Sequence, residues 1–187
     1  MIPKQVEDDE ASDALSDPTR YYGKYRGTVV NNLDPENRCR IQAIVPDVQS
    51  FIPLTYALPR LPAAGKGSGA FFVPEVGAKV WIEFEQGDPD YPIWSGCFYG
   101  VTLELPEMGI TSPPPTPNMV LQTTGRNSIT VMGAPGGGLI LCAGPVLSPT
   151  SPKIVISQAA IVITNGQASI TLVGPIVDIN KGGLTVT

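Results

Sequence analysis

Four carboxylates near the middle of the chain are the first candidates for chemistry. Glu83 and Glu85 occupy alternate positions of a predicted strand, and Asp88 and Asp90 flank Pro89 in a predicted turn. Such a cluster could bind a metal ion or perform acid–base catalysis. Aspartates beside a proline also cap backbone N–H groups in turns, and we favour this structural role for them.

The chain offers little else for catalysis. It contains no histidine, so a serine or cysteine nucleophile would have no imidazole base. The glycine-rich run at residues 133–138 contains Pro135 and opens no predicted helix, which argues against a phosphate-binding loop. We therefore predict no catalytic residue, no cofactor and no metal, in a protein that is not an enzyme.

Length and composition limit the class of protein. The chain has 187 residues, 42% of them hydrophobic, and a net charge of −5, which excludes global disorder and disfavours nucleic acid as a partner. No segment has the apolar length of a membrane span or of a signal peptide core. We expect synthesis in the cytoplasm, with Cys39, Cys97 and Cys142 as buried free thiols.

Apolar segments of four residues repeat towards the C-terminus and predict most of the architecture. Five of these tetrads start at residues 154, 161, 169, 176 and 184, and looser copies start at residues 119, 128 and 139. A strand followed by a turn-forming corner at this spacing is typical of a β-solenoid. One tetrad buries about two side chains, or roughly 3–6 kcal/mol. Ordering each residue of a repeat costs about 1–2 kcal/mol, so one repeat cannot fold alone.

The tetrads must therefore stack into a common ladder, which we expect to be parallel. One chain could coil alone with three tetrads per turn, or three identical chains could each supply one tetrad to every layer. We favour the homotrimer, because a single chain would complete fewer than three coils. The predicted trimer core contains the following apolar residues of the five tetrads: Ile154, Ile156, Ile161, Ile163, Ile170, Leu172, Ile179, Leu184 and Val186.

The whole chain divides into four predicted parts. Residues 1–20 form an acidic leader, which we expect to be flexible. Residues 21–100 form an OB-type barrel, residues 101–118 a Pro-rich neck, and residues 119–187 a β-helix. The five barrel strands are predicted at residues 25–30, 38–45, 69–73, 79–85 and 93–98. The predicted fold class is all-β, with an N-terminal OB-fold barrel followed by a C-terminal intertwined trimeric β-helix, or β-prism.

Several motifs of the barrel region, in this order, resemble those of one protein family. They include Tyr25–Val29, Asp34-Pro35, Arg38–Ile41, Gly69–Gly77 and above all Gly87–Pro92. The region is similar to the OB domain of phage baseplate assembly protein V, which also occurs in the tail spikes of contractile-tailed phages and in the valine-glycine-repeat spikes of type VI secretion. The residues that carry the family motif are Gly77, Trp81, Gly87, Asp88, Pro89, Asp90, Pro92 and Gly96.

The resemblance implies a structural central spike of a contractile injection system, either a phage tail baseplate or a related machine. Such a spike closes the tail tube and pierces the target envelope as a homotrimer, with transient contact to the target membrane. The resemblance also implies a tail hub protein above the OB ring, a separate small tip-capping protein, and assembly in a virion tail baseplate or a contractile injection particle. The residues leave one alternative open, an OB-type glycan- or single-strand-binding module with a β-solenoid spacer.

Overall fold

The computed structural model describes residues 19–111 and 115–186. The chain separates into two compact units, which divide between Phe98 and Tyr99. Most of the predicted acidic leader, residues 112–114 of the predicted neck, and Thr187 lie outside the described residues. No described helix is long and apolar enough to cross a membrane.

Helix is scarce among the described residues, as the density of Pro and Gly predicts. The helices α1 (Pro46–Gln49) and α2 (Glu107–Ile110) are single turns. Two 3-10 turns lie at Glu85–Gly87 and Thr102–Glu104.

The N-terminal unit is built on a five-stranded sheet. Its strands are β1 (Tyr25–Asn31), β2 (Gln42–Ile44), β3 (Leu58–Pro59), β6 (Lys79–Phe84) and β7 (Pro92–Phe98), and a separate small hairpin contains β4 (Ala64–Gly65) and β5 (Ser68–Gly69). The strand order is β2-β1-β6-β7-β3, and every pair is antiparallel except β3 with β7. The predicted strand at residues 69–73 is wrong. Phe71 and Phe72 lie outside any strand and are exposed, because Gly69 and Pro74 bound a run that lacks alternation.

Alternation along β1, β6 and β7 builds the core of this unit. Val29, Val80, Ile82 and Trp94 point inward and are at most 5% exposed. The indole N–H of Trp94 donates to the carbonyl oxygen of Cys39 at 2.9 Å, so the buried ring has its polar atom satisfied. Cys39 and Cys142 are buried free thiols as expected, but Cys97 is exposed, because it lies near the end of β7 and outside the core cluster.

The C-terminal unit contains one eight-stranded sheet whose strands follow their order in the chain. All eight predicted tetrads form strands, with bounds within one residue of the prediction. The strands are β8 (Met119–Gln122), β9 (Ser128–Val131), β10 (Leu139–Cys142), β11 (Lys153–Ile156), β12 (Ile161–Thr164), β13 (Ser169–Val173), β14 (Ile176–Ile179) and β15 (Leu184–Val186).

The direction of pairing differs from the expectation. Every neighbouring pair in this sheet is antiparallel, so the predicted parallel ladder is wrong. The physical reason is the length of the corners: those after β11 run from residue 157 to 160, 165 to 168, 174 to 175 and 180 to 183. Corners this short can join antiparallel neighbours, whereas a parallel connection needs a dozen residues or more. The ladder is therefore completed by strands of one chain.

Candidate functional site: an exposed apolar face

The strand register places two columns of apolar residues on one face of the eight-stranded sheet. The first column runs through Met119, Val131, Leu139, Ile156, Ile161, Leu172, Val177 and Val186. The second runs through Leu121, Ile129, Leu141, Ile154, Ile163, Ile170, Ile179 and Leu184. All sixteen positions hold aliphatic residues or methionine. We call this surface the apolar face.

The apolar face is largely uncovered in the single chain. Met119 and Leu121 at one end are 72% and 59% exposed, and the central side chains from Ile129 to Leu172 are mostly 38–48% exposed. Ile154, Val177 and Ile179 are half-buried. A continuous strip of this size is rare on the surface of a soluble monomer.

The opposite face of the same sheet has a different chemistry. On strands β8 to β10, Met108 from α2 and Val146 from the loop after β10 pack near Val120, Ile140 and Cys142. On strands β12 to β14, the positions of this face include the polar residues Thr164, Ser169, Thr171 and Asp178. The opposite face is therefore mixed: it is covered in part, it has polar side chains, and it includes the exposed apolar residues Val173 and Ile176. The apolar face differs because both of its columns hold apolar residues throughout, and nothing in the described chain covers them.

Three asparagine side chains accept hydrogen bonds from backbone N–H groups at the ends of the strands. The side-chain oxygen of Asn118 accepts the N–H of Gly133 at 3.0 Å, and that of Asn127 accepts the N–H of Gly144 at 3.0 Å. Asn180 accepts the N–H of Ser169 at 2.9 Å. Each bond joins residues at the ends of neighbouring or nearby strands and so stabilises the turns there.

Gly138 marks the closest approach between neighbouring corners. A Cβ atom at this position would lie 1.8 Å from the carbonyl oxygen of Ile156. Only glycine fits there without movement of the backbone.

The nine residues predicted for the trimer core all occupy positions of the apolar face, with Val186 placed by its backbone register alone. Their role in a trimer stays a prediction. The prediction missed seven further positions of the same face: Met119, Leu121, Ile129, Val131, Leu139, Leu141 and Val177. Six of these lie in the three looser tetrads, where alternation of apolar residues was the available signal. Val177 was hidden because Ile176 beside it is also apolar.

The four carboxylates Glu83, Glu85, Asp88 and Asp90 do not converge on one point. Glu83 pairs with Lys24 and lies 4.0 Å from Arg60, and the Lys24 hydrogen bond lowers the pKa of Glu83. Asp88 instead pairs with Arg20 at 3.1 Å. Among residues 19–111 and 115–186, no group of three His, Cys, Asp or Glu side chains is placed to hold a metal ion.

The family motif between Gly87 and Pro92 forms the turn that joins β6 to β7. One carboxylate oxygen of Asp88 accepts the N–H of Asp90 at 3.0 Å, and the carbonyl of Asp88 accepts the N–H of Tyr91 at 3.1 Å. Gly87 is buried at a φ of +80°, and a Cβ there would lie 3.0 Å from the ring of Tyr22. In this turn Pro89 is half-buried and Pro92 is buried. The Asp88 carboxylate therefore builds the turn.

The other motif residues position β6 against its neighbours. The N–H of Gly77 donates to the carbonyl of Val29 at 2.8 Å just before β6 begins. Trp81 lies on the outer side of β6 with its ring centroid 4.8 Å from that of Phe98. Gly96 lies opposite Trp81, where the register of β7 shifts by one residue.

Sequence reasoning gave no role to the most buried ion pair of the N-terminal unit. Arg40 donates through Nε and Nη2 to one oxygen of Asp34, at 3.0 and 2.6 Å, and the Asp34 side chain is only 4% exposed. Asp34 also accepts the backbone N–H groups of Glu36, Arg38 and Arg40. These bonds, led by that to Arg40, hold the pKa of Asp34 well below its usual range. The pair fixes the loop between β1 and β2.

Comparisons with known proteins agree with this division of the chain. Residues 25–99 match the type VI secretion system/phage-baseplate injector OB domain, and residues 118–185 match the phage baseplate V C-terminal trimerisation domain. A stretch of 43 residues is 44% identical to the type VI secretion system spike protein VgrG4b of Pseudomonas aeruginosa, and covers 23% of this chain. The match spans only 5% of the length of that relative. With an OB domain followed by a trimerisation domain, the chain belongs to the phage baseplate V and type VI secretion spike family.

Proposed function

We propose that the chain is the structural central spike of a contractile injection system and works as a homotrimer, with its apolar face turned inward. The observation that carries this proposal is the uncovered face of the C-terminal sheet. Completing the burial of a half-exposed Leu or Ile contributes about 1 kcal/mol. Across sixteen positions this contribution reaches the size of the stability of a whole domain, about 5–15 kcal/mol.

The dimensions of the apolar face suit three copies. The face is two side chains wide and eight strands tall, or about 34 Å at about 4.8 Å per strand. Three such faces closed into a prism bring six apolar side chains into every layer, two from each chain. The match to a trimerisation domain supports three copies rather than two.

A prism of this kind suits a mechanical role. Its strands lie across the long axis, so the hydrogen bonds of each sheet run along the direction in which force would pass. After Gly109 the only Asp, Glu, Lys or Arg residues are Arg126, Lys153, Asp178 and Lys181. Few charges would therefore need to be desolvated when the needle crosses a lipid headgroup layer.

The membership of the family supports the rest of the proposal. The OB units close the tail tube below a hub protein, a separate small protein caps the tip, and the trimer pierces the target envelope with transient contact to its membrane. The protein is assembled in a tail baseplate or injection particle, and it acts without enzymatic chemistry, cofactor or metal.

The proposal is tested by placing a charge on each face of one strand. We expect Ile170→Asp, and equally Ile163→Asp, to abolish the trimer, because three carboxylates would be buried together in one layer. Ser169→Asp is the matched control, since Ser169 neighbours Ile170 but points to the opposite face, where its cross-strand partner is the neutral Thr164. Size-exclusion chromatography with light scattering measures the result. An Ile170→Asp protein that remains trimeric would overturn the inward orientation of the face.

An OB-type module that binds a glycan or a single strand is the second candidate. One observation favours it, an open cavity of about 540 Å³ in the N-terminal unit, lined in part by Arg38, Leu61, Ser68 and Phe71. Phe71 is the only aromatic residue of that lining. Stacking of bases or sugars normally uses several rings, so we rank this function below the spike.

A further inference from the structure

Asparagine is followed directly by glycine once in this sequence, at Asn165-Gly166. The two residues open the corner, residues 165–168, that joins β12 to β13. The side-chain amide of an asparagine can react with the backbone nitrogen of the next residue, and glycine shields that nitrogen least because it has no side chain. Whether this pair reacts therefore depends on how tightly the corner holds it.

Packing requires a glycine at position 166. Gly166 has a φ of +90°, and a Cβ atom there would lie 2.5 Å from the Cα atom of Thr150 and 2.9 Å from the carbonyl oxygen of Pro149. A side chain is excluded both by this backbone conformation and by the loop that follows β10. The corner therefore needs the residue that makes Asn165 reactive.

The side chain of Asn165 is held by the corner that it helps to form. Its carbonyl oxygen accepts the N–H of Gln167 at 3.0 Å and the N–H of Ala168 at 2.7 Å. The backbone N–H of Asn165 donates to the carbonyl oxygen of Ala168 at 3.2 Å. An amide fixed in this way cannot follow the path of ring closure until these bonds break.

Thr164 holds the attacking nitrogen. The Gly166 N–H donates to the hydroxyl oxygen of Thr164 at 3.0 Å, and that hydroxyl donates to the carbonyl oxygen of Ala168 at 3.0 Å. The Gly166 nitrogen must lose its proton before it attacks, and a hydrogen-bonded N–H group loses its proton less readily than a free one. The closed corner thus restrains both groups that would react, and opening it breaks all of these hydrogen bonds.

We propose that Asn165-Gly166 is a self-modification site, which the folded corner blocks and an open corner releases. In the open chain the Gly166 nitrogen attacks the side-chain carbonyl carbon of Asn165. The new C–N bond closes a succinimide ring, and the side-chain nitrogen leaves as ammonia, taking up the proton of the Gly166 N–H. Water then opens the ring at either carbonyl, which leaves aspartate or isoaspartate at position 165.

The modified corner no longer fits the sheet. Isoaspartate adds one carbon to the backbone of a four-residue corner, and either product adds a negative charge. The register that places Ile163 opposite Ile170 depends on the length of this corner. In the homotrimer of the proposed function, on which this step rests, a chain with the longer corner cannot complete its layer. The reaction therefore removes from assembly those chains that stay open.

Deamidation rates of the full-length protein test the blocked site. Folded protein and protein in concentrated guanidinium chloride are incubated at the same mildly alkaline pH, and peptide mass spectrometry measures the product at Asn165. We expect the product to form about tenfold faster in the unfolded chain, because the reaction requires an open corner. Similar rates in the two states, or no product at Asn165 in the unfolded chain, would overturn the proposal.

The role of Thr164 is tested in the folded protein. Thr164→Val removes the acceptor of the Gly166 N–H, and we expect it to raise the rate at Asn165 about fivefold. Thr164→Ser retains the hydroxyl and should retain the low rate. Thr171→Val is the matched control, because Thr171 is also half-buried and lies on the same face, but in the middle of β13. A rate that is equal in the two valine variants would contradict the role of the Thr164 hydroxyl.

The effect on assembly is measured by refolding protein that has been aged in denaturant. Size-exclusion chromatography separates the trimer, and we expect isoaspartate at position 165 to be depleted about fivefold in that fraction relative to the whole sample. An equal content in the two would contradict exclusion from assembly. Unaged protein that forms no trimer would contradict the proposed function alone, while the deamidation rates still test the blocked site.

Discussion

In the N-terminal unit Val80, Ile82 and Trp94 are at most 5% exposed, whereas in the C-terminal unit Ile163, Ile170 and Leu172 remain 39–44% exposed. Both sets lie on strands that alternate, and both face away from polar neighbours. The N-terminal sheet meets its core within the chain, through residues such as Ile41 and Leu54. The C-terminal sheet has no equivalent layer among the described residues, and we propose that other copies of the chain supply it.

The contrast indicates that the N-terminal unit can fold within one chain, whereas the C-terminal unit depends on assembly with other copies. The N-terminal unit has the contents of an independent folding unit, with a single core and satisfied polar groups. The C-terminal unit has a complete hydrogen-bonded ladder but half of a core. We therefore expect the stability of the first to be independent of protein concentration and that of the second to depend on it.

Replacing one core isoleucine by alanine in each unit should give the largest difference, in how thermal unfolding depends on protein concentration. Ile82→Ala removes a fully buried side chain and should lower the free energy of unfolding by about 2–5 kcal/mol at any concentration. Ile170→Ala should lower the thermal midpoint of the C-terminal unit, and this midpoint should rise with protein concentration in both the variant and the unsubstituted protein. Thermal unfolding at concentrations a hundredfold apart measures both. A midpoint of the C-terminal unit that is insensitive to concentration would break the comparison.

A substitution at the edge of the C-terminal sheet tests whether its ladder is ordered as described. Gly138→Ala places a methyl group against the carbonyl oxygen of Ile156, so we expect a loss of about 1–3 kcal/mol in unfolding free energy. Gly125→Ala is the matched control, because its Cβ would meet only side-chain atoms at 3.6 Å or more. Urea unfolding of both variants gives the difference. Equal stability of the two would show that the corners do not stack as closely as described.

Acid should weaken the N-terminal unit through Asp34. Its pKa is lowered in the folded protein, so its stabilising effect is present above the unfolded pKa of about 3.9 and is lost as the pH falls below that value. Urea unfolding at pH 7, 4 and 3, followed by fluorescence of the buried Trp94, measures the loss. Asp34→Asn should be less stable at pH 7 and show a flatter dependence on pH.

The control for this experiment is Asp47→Asn, which removes an exposed carboxylate from α1. Its profile should follow that of the unsubstituted protein. If Asp34→Asn also kept the full acid dependence, the Asp34–Arg40 pair could not be its source.

Sequence alone predicted the strands of the C-terminal unit well, because apolar residues at alternate positions recur every seven to fifteen residues there. The sequence pattern did not predict whether neighbouring strands run parallel or antiparallel, because the same tetrads fit both kinds of ladder. Only the short corners exclude the parallel one. In the N-terminal unit, β3 at Leu58–Pro59 was missed because two residues in a Pro-rich stretch show no period. The Asp34–Arg40 ion pair forms because of the conformation of the loop between β1 and β2, and the positions of the two residues in the sequence do not predict that conformation.

The apolar face was predicted in part for a related reason. Alternation located the nine predicted positions, but the tetrad at Ile176–Ile179 has apolar residues on both faces. Only the register with β13 assigns Val177 to the apolar side. The exposure of the face follows from the absence of a covering layer in the described chain. No local pattern in the sequence encodes that property.

The central claim is that two further copies of this chain cover the apolar face. Light scattering on the purified, unsubstituted protein tests it most directly. We expect a single species of about three times the chain mass of 19.8 kDa that persists on dilution. A soluble, fully folded species of 19.8 kDa would contradict the account.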